Sequence, residues 1–128
     1  NTIWLHFVWS TKNRAPYLVD EIRGKIISHI KANGKLKGIQ IDHINGYLDH
    51  LHALVLLKAT QSPADIAKYI KGESSRWINE NDLLGCRFEW QDDYYCVSID
   101  SSHLENLRTY IRNQVRHHKK NEYKGGMD

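Results

Sequence analysis

Residues 45–57, Asn-Gly-Tyr-Leu-Asp-His-Leu-His-Ala-Leu-Val-Leu-Leu, constrain the fold more than any other stretch of the chain. Asn45-Gly46 is a strong hairpin signal, because both residues tolerate the positive φ that a tight two-residue turn demands. The apolar run over 47–57 that follows is strand-sized. The chain should therefore turn back at Asn45-Gly46 against Ile39 and Ile41, which alternate with Gln40 and Asp42. A strand of this kind places His50 and His52 on one face, roughly 6.6 Å apart, with Leu51 on the other. Two imidazoles on an otherwise apolar strand need hydrogen-bond partners or a metal. Both readings stay open on the pair alone, since with 8 histidines in 128 residues a His-x-His arises by chance with a probability of about one half.

The pattern around this hairpin is that of an α+β chain. Ile3, Leu5, Phe7 and Trp9 alternate with Thr2, Trp4, His6 and Val8, which reads as a first strand buried on both faces and ended by Lys12-Asn13-Arg14-Ala15-Pro16. Ile22, Ile26 and Ile30 recur at helical spacing, and Asn33-Gly34 supplies a left-handed stop, so residues 20–32 should be helical. Ser62-Pro63-Ala64-Asp65 caps a second helix running through Ile66, Ile70 and Trp77. A strand is expected near 87–90 and a better one over 94–99. Ser102-His103-Leu104-Glu105 reads as a capping box opening a last helix with Leu104, Leu107, Ile111 and Val115 as its apolar stripe. These elements predict an antiparallel four-stranded sheet with three helices packed on it. At 128 residues and 41% hydrophobic, one domain spanning 1–128 is expected, its basic end after about residue 120 frayed.

Charge and cysteine usage narrow the function classes. A net charge of +3 permits nucleic-acid binding without requiring it. The basic residues gather in three groups, Lys12 with Arg14, Lys68 with Lys71 and Arg76, and a C-terminal set from Arg108 to Lys124. Within the last, Arg108, Arg112 and Arg116 form an i, i+4, i+8 ridge that is either a solvated face or a phosphate contact. Cys86 and Cys96 make neither a disulfide framework nor a C-x-x-C pair, so a zinc ribbon is excluded. A zinc nucleobase deaminase would need H-x-E with P-C-x-x-C, and an NTPase would need Gly-x-x-x-x-Gly-Lys; neither occurs. The apolar runs are too short to span a membrane, and the first residues lack the basic start and cleavage site of a secretory leader. The expectation is a cytoplasmic protein with no membrane partner.

Tyr110 and Gln114 are four residues apart on the last helix and so share a face. If that helix meets the histidine strand, the Gln114 amide oxygen could complete a three-ligand set with His50 and His52, beside the Tyr110 phenol. Such a set would leave about three positions open on an octahedral Mg²⁺ or Mn²⁺. The plainer reading of Tyr110 is a packing residue next to an apolar stripe. Asp49 could orient a histidine through the ring nitrogen that faces away from a metal, or simply be solvated.

Five ordered blocks now carry a resemblance over nearly the whole chain. They are Ser10-Thr11-Lys12-Asn13-Arg14-Ala15-Pro16, Asp49-His50-Leu51-His52-Ala53-Leu54-Val55, Lys71-Gly72-Glu73-Ser74-Ser75-Arg76-Trp77, Trp90 with Tyr94-Tyr95, and Tyr110-Ile111-Arg112-Asn113-Gln114. In these blocks the chain resembles the single-tyrosine transposases of small insertion sequences, including REP-associated relatives, within the His-hydrophobic-His (HUH) endonuclease superfamily. The resemblance implies an RNA-recognition-motif-like, or ferredoxin-like, sandwich. It implies His50, His52 and Gln114 as ligands of Mg²⁺ or Mn²⁺, and Tyr110 as a nucleophile that nicks and rejoins DNA through a 5′-phosphotyrosine. Asp49 and Asn113 would support the ligands, and Lys12, Arg14, Lys71, Ser74, Ser75 and Arg76 would contact DNA. The implied partners are single-stranded DNA hairpins and a second copy of the chain, with His50 and His52 of one subunit working with Tyr110 and Gln114 of the other. A host-domesticated hairpin-processing relative and a non-catalytic single-strand-binding module are the alternative functions. The binding module would need neither the histidine pair nor Gln114.

Overall fold

Alternation in the opening segment and helical periodicity after it produce the element order β1 (Ile3–Ser10), α1 (Asp20–Leu36), β2 (Gln40–Gly46), β3 (His50–Leu57), α2 (Pro63–Glu80), β4 (Tyr95–Ile99) and α3 (Leu104–Arg112) in a computed structural model that describes residues 2–116. The strands form one antiparallel sheet in the order β2-β3-β1-β4. Its first six elements have the βαββαβ order of a ferredoxin-like sandwich, as expected. The basic tail after residue 120, and with it Lys119, Lys120 and Lys124, lies outside the described residues.

Period-two alternation sorts the sheet into two unlike faces. Leu5, Phe7 and Trp9 of β1 and Leu51, Ala53 and Val55 of β3 point to one side, where Ile26 and Ile30 of α1 and Ile66, Ile70 and Ile78 of α2 close the main core. Trp4, His6 and Val8, with His50, His52 and Leu54, point to the other. There α3 seats Leu104 and Ile111 on Leu54, flanked by Trp4, Ile99 and Leu107. The second face is only partly covered, and that leaves a surface on which chemistry can occur.

Several local signals act differently from their sequence reading. Asn33-Gly34 does not stop α1, which continues to Leu36; the left-handed residue is Gly38, at φ 78°. Gly34 is instead a packing glycine, since a Cβ there would stand 3.0 Å from Ile41 Cδ1. Asn45-Gly46 ends β2 rather than forming the turn, and residues 47–49 make the connection, closed by Tyr47 N–H donating to His50 O at 3.0 Å. Gly46 serves close approach, because a Cβ would fall 2.0 Å from His50 O. Ser62 caps α2 as expected, accepting from Asp65 N–H at 3.1 Å. Ser102 bonds Asp100 instead, at 2.9 Å, so α3 starts without the capping box. Residues 87–90 form no strand; only Trp90 bridges to Thr11. Among the described residues no helix is long and apolar enough to cross a membrane.

Candidate active site

The β1–β3 register sets Ser10 opposite His50 and Val8 opposite His52, so both imidazoles stand on the half-covered face. Both are buried, and α3 brings the other two residues to them. Gln114, in the short helical continuation past Asn113, is fully buried. Its Nε2 donates to Tyr110 O at 3.2 Å, and its Oε1 lies 3.4 Å from His50 Nε2. The Tyr110 ring meets His52 edge-on, with centroids 5.4 Å apart, yet Tyr110 remains 41% exposed. One chain therefore gathers His50, His52, Tyr110 and Gln114 in one place.

Ring orientation at His50 is fixed from behind. Asp49 Oδ1 lies 2.8 Å from His50 Nδ1, while Asp49 Oδ2 accepts from Arg14 Nε at 3.0 Å. Asp49 is itself pinned by Thr11 N–H donating to its carbonyl at 2.9 Å. Arg14 reaches it from a turn in which Asn13 and Arg14 both adopt positive φ, 60° and 56°, a conformation rare outside glycine. Burial works against ionisation of Asp49, but the bonds from His50 and Arg14 outweigh it and hold the carboxyl below its usual range. An ionised Asp49 makes His50 the donor at Nδ1, and the other ring nitrogen, Nε2, faces the Gln114 oxygen.

His50 Nε2 and Gln114 Oε1 face each other at 3.4 Å, close to the spacing of two ligands on one cation. Cis ligands at about 2.1 Å from an octahedral cation stand about 3 Å apart, so a small adjustment fits the pair to Mg²⁺ or Mn²⁺. Among the described residues no three His, Cys, Asp or Glu group to hold a metal, so a cation here would rely on an amide as third donor. Two imidazoles and one amide oxygen would leave open positions on a six-coordinate divalent ion, unlike the closed ligand set of a structural zinc site.

His6 escaped sequence reading. Its Nε2 lies 3.0 Å from His52 Nδ1, and burial pushes its pKa below that of an ordinary imidazole. It was concealed because the contact is diagonal across β1 and β3, which only the strand register reveals.

Other expected residues fall elsewhere. Asn113 ends α3 on its exposed side, its backbone N–H bonded to Thr109 O at 3.1 Å, and does not reach the donors. Ser74 is a correction of a different kind: fully buried, it donates to Ile70 O at 2.6 Å and accepts from Trp90 Nε1 at 2.9 Å, so it ties α2 to the core and is closed to DNA. Lys71, Ser75 and Arg76 line a groove with Lys68, Arg87 and Tyr94, on the α2 side of the sheet and away from His50 and His52. Lys71 donates to Asp92 O at 2.7 Å above the Tyr94 ring. Alternation does not bury either tyrosine of the Tyr94-Tyr95 pair; both are exposed, Tyr94 on the α2 side and Tyr95 beside His6. Lys12 pairs with Glu89 at 3.0 Å.

Arg108 and Arg112 of the arginine ridge tether α3. Arg108 grips Asp42 with Nε at 2.9 Å and Nη2 at 3.2 Å, Arg112 Nη1 lies 3.0 Å from His43 Nε2, and Asn45 Nδ2 donates to Arg112 O at 3.1 Å. Asp42 sits where the β2–β3 register shifts between Ile41 and His43, and such a bulge re-aims a side chain. These bonds hold α3 on its own sheet. Within the single chain Tyr110 and Gln114 thus lie beside His52 and His50.

Three likenesses accompany this geometry. The fold matches the crystal structure of a candidate transposase from Deinococcus radiodurans R1 with a TM-score of 0.70 at 22% identity, over 89% of this chain and 92% of that one. It matches a REP-associated tyrosine transposase bound to a REP hairpin with a TM-score of 0.68 at 18% identity, over 90% of this chain and 68% of the other. In sequence it is 23% identical over 115 residues to the ISDra2 transposase TnpA of Deinococcus radiodurans, covering 85% of this chain and 81% of that protein. Residues 1–114 match the family described as IS200-like transposases, and the chain belongs to that family.

Proposed function

We propose that this protein nicks and rejoins single-stranded DNA at hairpin ends of an insertion sequence, with Tyr110 as nucleophile and with His50, His52 and Gln114 holding Mg²⁺ or Mn²⁺. The observation that carries this reading is the convergence of those four side chains on one half-covered sheet face. A bound divalent cation would supply Lewis-acid polarisation of the scissile phosphodiester. The Tyr110 phenol oxygen attacks phosphorus, the bond to the 3′ oxygen breaks, and a 5′-phosphotyrosine remains. The phenol proton leaves to solvent and the departing oxygen takes one up as a 3′-hydroxyl. Because the new bond is still a phosphodiester, attack by another 3′-hydroxyl rejoins the strand and restores the phenol. The exposure of Tyr110 suits a nucleophile that must meet a large substrate.

The open part of the sheet beside the site, with His6, Val8 and the exposed Tyr95, offers a platform on which an unpaired base can stack. Lys12 and Arg14 flank the same end of β1. Lys71, Ser75 and Arg76 would reach DNA only where it continues round the β4 edge to the α2 side. A homodimer is consistent with this scheme, each subunit carrying its own assembled donors.

The test is covalent trapping of end-labelled single-stranded hairpin DNA. Purified protein with Mg²⁺ or Mn²⁺ should yield an adduct stable to denaturation, and excess EDTA should prevent it. Tyr110→Phe should form none while binding the hairpin almost as before. An adduct with Tyr110→Phe would move the nucleophile elsewhere, with exposed Tyr95 the first residue to replace, and full cleavage in EDTA would remove the cation from the scheme.

A further inference from the structure

His6 is neither nucleophile nor cation ligand in the scheme above, yet it meets His52 directly. Their centroids are 5.2 Å apart, their planes differ by 19°, and Nε2 of His6 lies 3.0 Å from Nδ1 of His52, so the two rings meet edge to edge, nearly in plane. A single proton lies between these nitrogens, and two neutral arrangements are open to it. If His52 donates from Nδ1, its Nε2 carries a lone pair. If His6 donates, the ring proton of His52 must sit on Nε2, and that nitrogen cannot bind a cation.

The surroundings favour the first arrangement. His50 next door is built on the same plan, with Nδ1 held by Asp49 and Nε2 turned to Gln114. His6 stands opposite Leu54 in the register, diagonal to His52, and Tyr95 braces its ring edge-on at 5.8 Å. Its neighbours along the same face of β1 are Trp4 and Val8, so packing alone would be served by an apolar side chain. A neutral imidazole also orients His52 without adding a second carboxylate where a phosphodiester must approach.

We propose that His6 is a positioning residue: it accepts a hydrogen bond from Nδ1 of His52 and so fixes the tautomer in which Nε2 of His52 can serve a divalent cation. The tautomer is a property of the cation-free protein, whereas its use for a cation rests on the function proposed above. Long-range ¹⁵N–¹H correlation spectra of the imidazoles in metal-free protein read the first directly, and Mn²⁺ titration followed by electron paramagnetic resonance reads the second. Wild-type His52 should be protonated at Nδ1 and bare at Nε2. His6→Phe should let the Nε2-protonated form appear and weaken Mn²⁺ binding about tenfold, the lower end of the range for supporting residues. His6→Gln, whose amide oxygen can accept at similar reach, should retain the Nδ1 proton and most of the affinity.

His52 protonated at Nε2 in the wild type overturns the proposal, and that spectrum decides even if His6→Phe does not fold. So does a folded His6→Phe with the tautomer unchanged and Mn²⁺ bound as tightly as before. His50→Ala separates the two claims: if it binds Mn²⁺ as the wild type does, the cation site is wrong, while the His52 spectra still determine what His6 does.

Discussion

Asp49 bonds His50 through one carboxylate oxygen and Arg14 through the other, so its charge orients the His50 ring. Asp49→Asn keeps the shape and removes the charge. It should lower Mn²⁺ affinity and nicking roughly 10–100-fold while leaving hairpin binding close to wild type, as titration and a gel assay on one preparation would reveal. Equal affinity in the variant would mean that the carboxylate only ties Arg14. The pattern of what was readable follows from range. His50 and His52 are two residues apart and Tyr110 and Gln114 four, so period-two and helical geometry place each pair without tertiary information. Asp49 adjoins His50 and was within reach of the same reasoning. His6 was not, because its role depends on which residue of β3 it faces, and Ser74 was misplaced because helical phase alone did not show that Trp90 folds back over it.

At the scale of elements, α3 has to hold Tyr110 steady with few apolar contacts. Leu104 and Ile111 are its buried residues, each worth about 1.5–3 kcal/mol when fully buried, a modest anchor for a nine-residue helix. The Arg108–Asp42 grip, with the Arg112–His43 and Asn45–Arg112 bonds, supplies the rest. Arg108→Ala should therefore speed amide exchange in α3 by roughly tenfold and leave α1 and α2 protected. Slowed adduct formation at unchanged Mn²⁺ affinity would place the loss in nucleophile positioning. Acid should mimic it. Burial opposes ionisation of Asp42, but bonds from Arg108 and His43 prevail and depress its pKa. A depressed folded pKa gives stability that is present above the unfolded value, about 3.9, and lost as pH falls through the folded one. The tether should thus hold at neutral pH and loosen only below about pH 4. If α3 exchange is unchanged in Arg108→Ala, apolar seating alone fixes the helix. Helical phase correctly aligned Arg108 with Arg112 but could not say what they face, since Asp42 is aimed at them by a bulge that no local pattern announces. Gly34 and Gly46 misled for a similar reason: glycine marks close approach as readily as a turn, and the neighbour approached is distant in sequence or across a strand.

For the whole molecule, alternating strand and helix signals made the βαββαβ sandwich readable, because two sheet faces of different polarity admit few ways of stacking two helices. Where the third helix lies was a separate question, since an amphipathic helix at the end of a chain can cover its own sheet or that of another copy. Here it covers its own: Ile111 sits on Leu54, Arg108 on Asp42, and Gln114 reaches His50, all within one chain. Self-contained sites make a prediction that holds whether or not two chains associate. A Tyr110→Phe subunit lacks the nucleophile and a His50→Ala, His52→Ala subunit lacks the donors, so mixing them should restore no adduct or cleavage. Differently tagged subunits, co-expressed and purified through both tags, would establish that mixed dimers were assayed if dimers exist. Exchanged helices would instead give each mixed dimer one site with intact His50, His52, Tyr110 and Gln114, and up to half the activity of wild type. Recovery on that scale would mean that α3 leaves its own sheet before cutting. Arg108→Ala would then promote the exchange by freeing the helix, whereas in a self-contained site the same substitution can only slow the reaction.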